Sequence, residues 1–169
     1  SGCGPIGALC VVAARFLGAL SITVTDLMDT PLHVALALGA DEAVNVTSCK
    51  SLDEYARNKG YFDVIVEASG AQPALLTALD VARPRAVIVQ LGLGGDITLP
   101  MNTVVAKELR LFGSFRFHEE FTWAAQLIRE QRVNLEPLLT DVFPATDAVA
   151  AFARASDRNQ AMKVQLKFD

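Results

Sequence analysis

The stretch Gly2-Cys-Gly4-Pro-Ile-Gly7 decides the fold, because it matches the pattern G-x-G-x-x-G that opens a helix after a tight turn. The first glycine permits the turn, the second lets the backbone approach a pyrophosphate, and the third lets the helix pack close to a sheet. The helix N-terminus adds N–H donors and the positive end of its dipole. The motif therefore predicts a dinucleotide-binding turn with contacts from Gly2, Gly4, Pro5, Ile6 and Gly7.

A carboxylate follows this turn at the distance that a dinucleotide fold requires. Asp26 ends a predicted strand over residues 22–26, and it lies 19 residues after Gly7. A carboxylate in that place accepts hydrogen bonds from an adenosine ribose and repels a 2′-phosphate. No Lys or Arg lies between Arg15 and Lys50 to bind such a phosphate, so the sequence predicts NAD rather than NADP. The alternative is a plain glycine turn with a surface aspartate.

Short β-branched runs alternate with helical stretches, which is the pattern of a parallel sheet covered by helices. The predicted fold class is α/β, a Rossmann-type doubly wound parallel sheet. Helices are predicted over 5–17, 30–38, 51–60, 73–81, near Thr103, over a longer stretch that carries Phe121 and Ile128, and over 148–155. The helix over 51–60 is predicted from the capping box Ser51-Leu-Asp-Glu54. Strands are predicted over 22–26, 43–46, 62–67, 86–91, near Ile97, over 109–115, near Val142 and over 162–168, and the strand over 62–67 is expected to be buried.

Three more segments lie at the carboxyl ends of predicted strands, the edge at which open parallel sheets bind ligands. They are Glu67-Ala-Ser-Gly70, Leu91-Gly-Leu-Gly94 and Gly113-Ser-Phe-Arg116. Ordinary loop glycines and a solvated arginine are the alternatives. The cofactor contacts predicted from these segments are Ala68, Ser69, Leu91, Gly92, Leu93, Phe115 and Arg116.

A doubly wound sheet has a strand directly before its glycine turn, and the sequence starts at the turn. That strand belongs between the strands that end at Asp26 and Glu67. Without it, unpaired backbone groups would each cost roughly 1–3 kcal/mol. We therefore expect the chain to be the later part of a longer protein. The sequence changes character after Arg116, and the predicted domains are 1–116, which binds the dinucleotide, and 117–169.

Composition excludes several other classes of protein. The 169 residues are 51% hydrophobic and 20% charged with a net charge of −4, and no Lys/Arg-rich stretch indicates nucleic acid or a membrane surface. The longest apolar run is broken by Arg15 and Gly18, and no basic region precedes it as in a signal peptide. We therefore expect a cytoplasmic protein.

The cysteines and histidines do not form a pattern that binds metal. The three cysteines, Cys3, Cys10 and Cys49, are not spaced as a C-x-x-C pair. His33 and His118 are the only histidines that could act as further metal ligands. A metal site needs several such ligands to converge. The sequence predicts no metal site and no disulfide framework, with the cysteines as buried or incidental residues in a reducing compartment.

The motifs together resemble those of the zinc-dependent medium-chain alcohol and polyol dehydrogenases, over essentially the whole chain. The resemblance rests on residues 2–7, Thr25-Asp26, Val66-Glu-Ala-Ser-Gly70, Val89-Gln-Leu-Gly92, Ala106-Lys-Glu-Leu-Arg-Leu-Phe-Gly-Ser-Phe115 and Lys163-Val-Gln-Leu-Lys-Phe168. It implies an NAD-dependent enzyme of about twice this length, with catalytic zinc held by an N-terminal domain outside this chain. This chain alone is then inactive and holds no catalytic residue.

The resemblance also implies a substrate and an assembly. The runs Lys59-Gly-Tyr-Phe-Asp63 and 107–120 favour a secondary alcohol of a sugar acid or polyol, with L-idonate and 5-ketogluconate first. Residues 117–169 are expected to be a return segment that packs on the N-terminal domain. We expect a homodimer or homotetramer through the edge strand over 109–115, which carries much apolar surface.

Three other functions share individual motifs with this sequence. A stand-alone NAD-binding module without catalysis and an S-adenosylmethionine methyltransferase both share the glycine turn and the acidic strand end. Tyr55-Ala-Arg-Asn-Lys59 matches the Y-x-x-x-K of short-chain dehydrogenases, but it comes too early in the chain and the glycine spacing differs.

Overall fold

Parallel strands and the helices that connect them make up the computed structural model, which describes residues 1–48 and 51–168. Cys49 therefore lies outside the described residues, and so does the expectation made for it. The helices are α1 Pro5–Phe16, α2 Asp29–Ala37, α3 Gln72–Val81, α4 Met101–Ala106, α5 Glu120–Arg129 and α6 Ala148–Ser156. The strands are β1 Thr23–Asp26, β2 Glu42–Asn45, β3 Phe62–Glu67, β4 Ala82–Gln90, β5 Arg110–Gly113, β6 Leu139–Pro144 and β7 Lys163–Lys167.

All strand pairs in the described residues are parallel, which confirms the predicted α/β class. They form the sheets β1-β2, β3-β4-β5 and β6-β7. The chain divides into two compact units, which we call unit A (residues 1–2 and 46–116) and unit B (residues 3–45 and 117–169). No helix in the described part is long and apolar enough to cross a membrane.

Unit A places α3 and α4 against its three-stranded sheet. Leu75 and Leu79 of α3 and Ile88 of β4 lie in one buried cluster with Val104 of α4. Pro73 stands in the first turn of α3, where its missing N–H is tolerated. The Lys107 ammonium group donates to three carbonyl oxygens at the end of that helix, those of Leu79, Asp80 and Ala82, at 2.7–3.0 Å. These bonds fix where α3 stops and β4 begins.

Unit B contains residues 3–7 of the glycine turn together with the C-terminal part of the chain. Ala8 of α1 and Ala35 of α2 are fully buried, and they share a core with Leu138 and Met162. Residues 117–169 therefore contribute to the packing of the first helices, whereas their contact with a further domain stays a prediction. The domain division at Arg116 likewise stays a prediction.

Arg15 forms hydrogen bonds with the segments that follow α1 and α2, the two helices of that core. Its guanidinium group donates to the carbonyl oxygens of Gly39 and Ala19 at 2.7–3.1 Å, and to the Asp41 carboxylate at 2.6 Å. The pKa of Asp41 lies below its usual value. The main cause is the hydrogen bond that its carboxylate accepts from the Ile22 N–H, and the bond from Arg15 adds to it.

The predicted helix over 51–60 is wrong. The segment holds two single 3₁₀ turns, Ser51–Asp53 and Arg57–Lys59. Asn58, Lys59 and Gly60 have φ of 54°, 72° and 106°, a left-handed run that no right-handed helix can contain. The capping pattern in the sequence was a local signal that this turn overrode.

Two strand predictions also need correction. No strand forms near Ile97, because the neighbouring Thr98 N–H donates to the Gln72 side chain at 3.1 Å instead of to a ladder. Strand β3 was predicted to be buried, yet Asp63 and Val64 are exposed. Among the described strands β3 pairs with β4 alone, and α3 packs on the face that carries Ile65.

The Cys3 thiol should be unreactive in the folded protein. It is 2% exposed, its Sγ donates to the Thr25 carbonyl at 3.6 Å, and burial raises its pKa from 9.0 to about 11. We expect iodoacetamide at pH 8 to modify Cys3 only after denaturation, since the thiolate is the nucleophile. Mass spectrometry of native and urea-unfolded samples tests this, and rapid native modification of Cys3 would contradict it. Because folding raises the pKa of the Cys3 thiol, the free energy of unfolding includes the full contribution of this thiol below pH 9. That contribution is lost as the pH rises through about 11.

Candidate cofactor-binding site

The glycine turn of unit B opens α1 and leaves space in front of it. Gly4 is the N-cap residue, no side chain caps the helix, and Pro5 stands in its first turn. A Cβ built on Gly4 would meet nothing within 4 Å, so protein packing does not require glycine there. Gly7 is buried in the helix, and Ile6 is 59% exposed beside the turn. The turn therefore has the open cradle at a helix N-terminus that a pyrophosphate needs.

Asp26 holds this turn in place. Its Oδ2 accepts from the Cys3 N–H at 2.6 Å, and its Oδ1 accepts from the Met28 N–H at 3.1 Å. Each carboxylate oxygen has a second acceptor position, so two positions are left for ribose hydroxyls. The acidic residue predicted from spacing thus lies next to the glycine turn by direct contact.

A second carboxylate, Glu67, organises the loops of unit A. Its side chain is 0% exposed. Its Oε1 accepts from the Ser69 N–H at 2.8 Å and from the Ser69 hydroxyl, while its Oε2 accepts from the Gly70 N–H at 3.0 Å and from Gln90 Nε2 at 2.6 Å. Glu67 belongs to the predicted motif Glu67-Ala-Ser-Gly70, but the motif predicted no role for its carboxylate. The available signal was an acid at the carboxyl end of a largely apolar strand.

The loops that follow β3 and β4 pack against each other without room for side chains. A Cβ on Gly92 would lie 2.0 Å from the Gly70 nitrogen, and one on Gly94 would lie 1.8 Å from the Gly70 oxygen. The N–H groups of Leu91 and Gly92 donate to the Glu67 carbonyl at 2.8 and 2.9 Å. Glycine is thus required here by close backbone approach, which argues against ordinary loop glycines.

Ser1 and Gly2 lie against the end of β3 and the loop that follows it. The Ser1 carbonyl accepts from the Ala68 N–H at 2.8 Å, and the amino group of Ser1 donates to the Val66 carbonyl at 2.8 Å. A Cβ on Gly2, where φ is +78°, would lie 2.7 Å from the Ser69 nitrogen. The predicted contacts Gly2, Ala68 and Ser69 are therefore neighbours.

A cavity of about 480 Å³ adjoins these loops in unit A. Its walls are mainly apolar, from Leu75, Ile88, Leu111 and Phe112, and Gln90 also lines it. The Gln90 Oε1 atom is buried and has no hydrogen-bond partner among the described residues. Phe115 and Arg116 follow β5 at the same sheet edge, where the Ser114 N–H donates to the Gln90 carbonyl at 3.0 Å. The Arg116 guanidinium lies 4.9 Å from the centre of the exposed Phe115 ring.

The structure thus divides the predicted contact residues between the two units. Unit A holds Gly2, Ala68, Ser69, Leu91, Gly92, Leu93, Phe115 and Arg116, and unit B holds Gly4, Pro5, Ile6, Gly7 and Asp26. Over residues 1–48 and 51–168, no group of three His, Cys, Asp or Glu side chains could hold a metal ion.

A glycine turn bonded to an acidic strand end, within parallel α/β units, is the arrangement that doubly wound folds use to bind dinucleotides. Residues 5–130 match the zinc-binding dehydrogenase family, and the chain belongs to that family. The resemblance predicted from the motifs is confirmed.

Within this family, the chain is similar to dehydrogenases that act on polyols and sugar acids by name. L-idonate 5-dehydrogenase (NAD(P)(+)) of Escherichia coli K12 is 43% identical over 99% of this chain and 49% of its own length. The crystal structure of an L-idonate 5-dehydrogenase from E. coli K-12 aligns with a TM-score of 0.92 at 42% identity, covering 99% of this chain and 48% of that one. Sorbitol dehydrogenase of Gallus gallus is 30% identical over 100% of this chain and 49% of its own length. The chain spans about half the length of these relatives. Neither the methyltransferase nor the stand-alone module finds support among them.

Proposed function

We propose that this chain binds NAD as the cofactor part of a zinc-dependent polyol dehydrogenase. The observation that carries the proposal is the open glycine turn hydrogen-bonded to Asp26. The proposed reaction is hydride transfer between NAD and a secondary alcohol of a sugar acid or polyol. L-idonate and 5-ketogluconate are favoured, because a relative 43% identical is named for L-idonate.

Each set of residues has its own part in holding the cofactor. Asp26 would accept hydrogen bonds from the adenosine ribose, and the backbone at Gly2 to Gly7 would receive the pyrophosphate at the start of α1. In a doubly wound fold the second half of the sheet receives the second nucleotide. That assigns the nicotinamide half to Ala68 and Ser69, to Leu91, Gly92 and Leu93, and to Phe115 and Arg116. When bound, the nicotinamide ring accepts or donates the hydride.

The described residues do not fit a zinc site. We therefore propose that the catalytic zinc is held by residues outside this chain, and that no residue of this chain is catalytic. The chain by itself is then inactive as a dehydrogenase. Its part in the reaction is to bind and orient the nicotinamide, with the substrate site completed elsewhere.

We also propose that NAD is preferred over NADP and that the protein assembles as a homodimer or homotetramer in the cytoplasm. The Asp26 carboxylate disfavours a 2′-phosphate. All four residues of β5 are exposed, and among the described strands β5 pairs with β4 alone. An unpaired edge with apolar side chains is a surface that a second copy can cover. The net charge of −4 gives no reason to expect nucleic acid or membrane partners.

Titration with NADH tests the main proposal. We expect the fluorescence of NADH to change saturably on binding to this chain, and we expect AMP to displace it, because AMP carries the ribose that Asp26 would bind. Isothermal calorimetry with AMP alone gives an independent measure of the same contact. Failure of the folded chain to bind either molecule would overturn the proposal.

A further inference from the structure

Within residues 1–48 and 51–168, the buried Glu67 carboxylate accepts hydrogen bonds from the loop after β3 and from the end of β4. Burying a carboxylate is costly unless hydrogen bonds offset the lost hydration. Here the donors come from Ser69 and Gly70 in one loop and from Gln90, which precedes the other. Each oxygen of the carboxylate receives two of them, so both oxygens are engaged in holding the loops.

Gln90 extends this network to the second loop in one fixed orientation. Its Nε2 donates to Glu67 Oε2 at 2.6 Å and to the Gly92 carbonyl at 2.8 Å. Rotating the amide by 180° would bring Oε1 against two acceptors, so the present orientation is the favourable one. Its Oε1 is left buried, with no partner in the described part of the chain, beside the cavity that Gln90 lines.

Backbone contact between the loops after β3 and β4 restricts them in addition to the hydrogen bonds of Glu67 and Gln90. The backbone at Gly92 and Gly94 lies too close to Gly70 for a Cβ, so the two loops are in direct backbone contact. A ligand contact on one loop is therefore coupled to the position of the other. Precise placement of this kind is what orientation of a reacting group requires.

We infer that Glu67 is a positioning residue for the nicotinamide half of the cofactor, acting through Gln90 and the two glycine loops. The inference rests on the proposed function, since it assumes that the loops at 68–70 and 91–94 receive that half. The Glu67 side chain is itself buried from solvent. Its effect is to hold the backbone at Ser69 and Gly92 where the nicotinamide nucleotide would contact it.

The substitution Glu67→Gln tests this with almost no change in shape. An amide offers one oxygen and one NH₂, so whichever way it turns, a backbone N–H, that of Ser69 or that of Gly70, faces another donor. We expect NADH to bind about tenfold more weakly or worse, because a buried donor is left unpaired. AMP should bind within about twofold of the unsubstituted chain, since its ribose would contact Asp26 instead. Fluorescence titration and calorimetry measure the two affinities.

Controls separate positioning from general loss of structure. Glu108→Gln removes a carboxylate in the same unit that is 70% exposed and bonded to Arg85, and it should change neither affinity. If Glu67→Gln does not fold, Gln90→Met decides the matter, because it removes both Nε2 bonds and leaves Glu67 its three other donors. That variant should weaken NADH several-fold and leave AMP unchanged.

The outcomes distinguish this inference from the proposed function. If the unsubstituted chain binds neither NADH nor AMP, the proposed function fails. If it binds both and the Glu67 or Gln90 variant weakens both equally, these residues are merely structural and the inference is overturned. Unchanged NADH affinity in a folded variant overturns it as well.

Discussion

Replacing Asp26 with serine is expected to remove most of the preference for NADH over NADPH that we propose for this chain. Serine keeps a hydroxyl that can bond the ribose but removes the charge that opposes a 2′-phosphate. A hydrogen bond to a charged group contributes about 1.5–3 kcal/mol, so we expect the ratio of the two affinities to fall about tenfold or more. Paired titrations of NADH and NADPH on both proteins measure this ratio.

The ratio is the proper measure because Asp26 also supports the turn. Its carboxylate accepts from the Cys3 and Met28 N–H groups, so the variant should lose some affinity for both cofactors. Asp147→Ser, an exposed aspartate in the same unit, is the matched control and should leave the ratio unchanged. Equal affinities in the unsubstituted protein, or an unaltered ratio in Asp26→Ser, would overturn the assignment.

The parts of the fold that the sequence predicted are those with strong local signals. Helix α1 follows its glycine turn and its apolar spacing, and α3 follows a proline at its start and an apolar face. Asp26 was predicted because its distance from the turn is a property of the chain alone. In each case a few neighbouring residues carry enough information.

The parts that were missed depend on residues far apart in the chain. Gln90 meets Glu67 across 23 positions, and only the parallel register of β3 and β4 brings them together. Leu138 and Met162 join the core of α1 and α2 in a packing that periodicity does not reveal. The segment at 51–60 failed for a different reason. Asn58 and Gly60 are residue types that favour left-handed backbone, but Lys59 between them has no such preference, so the sequence did not predict the left-handed run.

Substitutions on strand β5 should convert an assembled protein to monomers. Leu111 is 40% exposed and Phe112 is 55% exposed on a strand with one described partner. Proline at position 111 removes an N–H from the edge, which strands at an interface use for pairing. We expect Leu111→Pro to sediment as a monomer at concentrations where the unsubstituted protein sediments as a dimer or tetramer.

A second variant keeps this prediction decisive if proline disturbs the pairing of β5 with β4. Phe112→Glu leaves the backbone unchanged and, across a two-fold contact, places like charges near each other, which disfavours association. Val149→Glu puts the same charge on an exposed apolar residue of α6 and should leave the assembly intact. Analytical ultracentrifugation of the three variants, with circular dichroism to establish folding, gives the answer. If folded Leu111→Pro and Phe112→Glu both sediment like the unsubstituted protein, the copies associate through another surface, because neither the edge hydrogen bonds nor the apolar side chains of β5 are then needed.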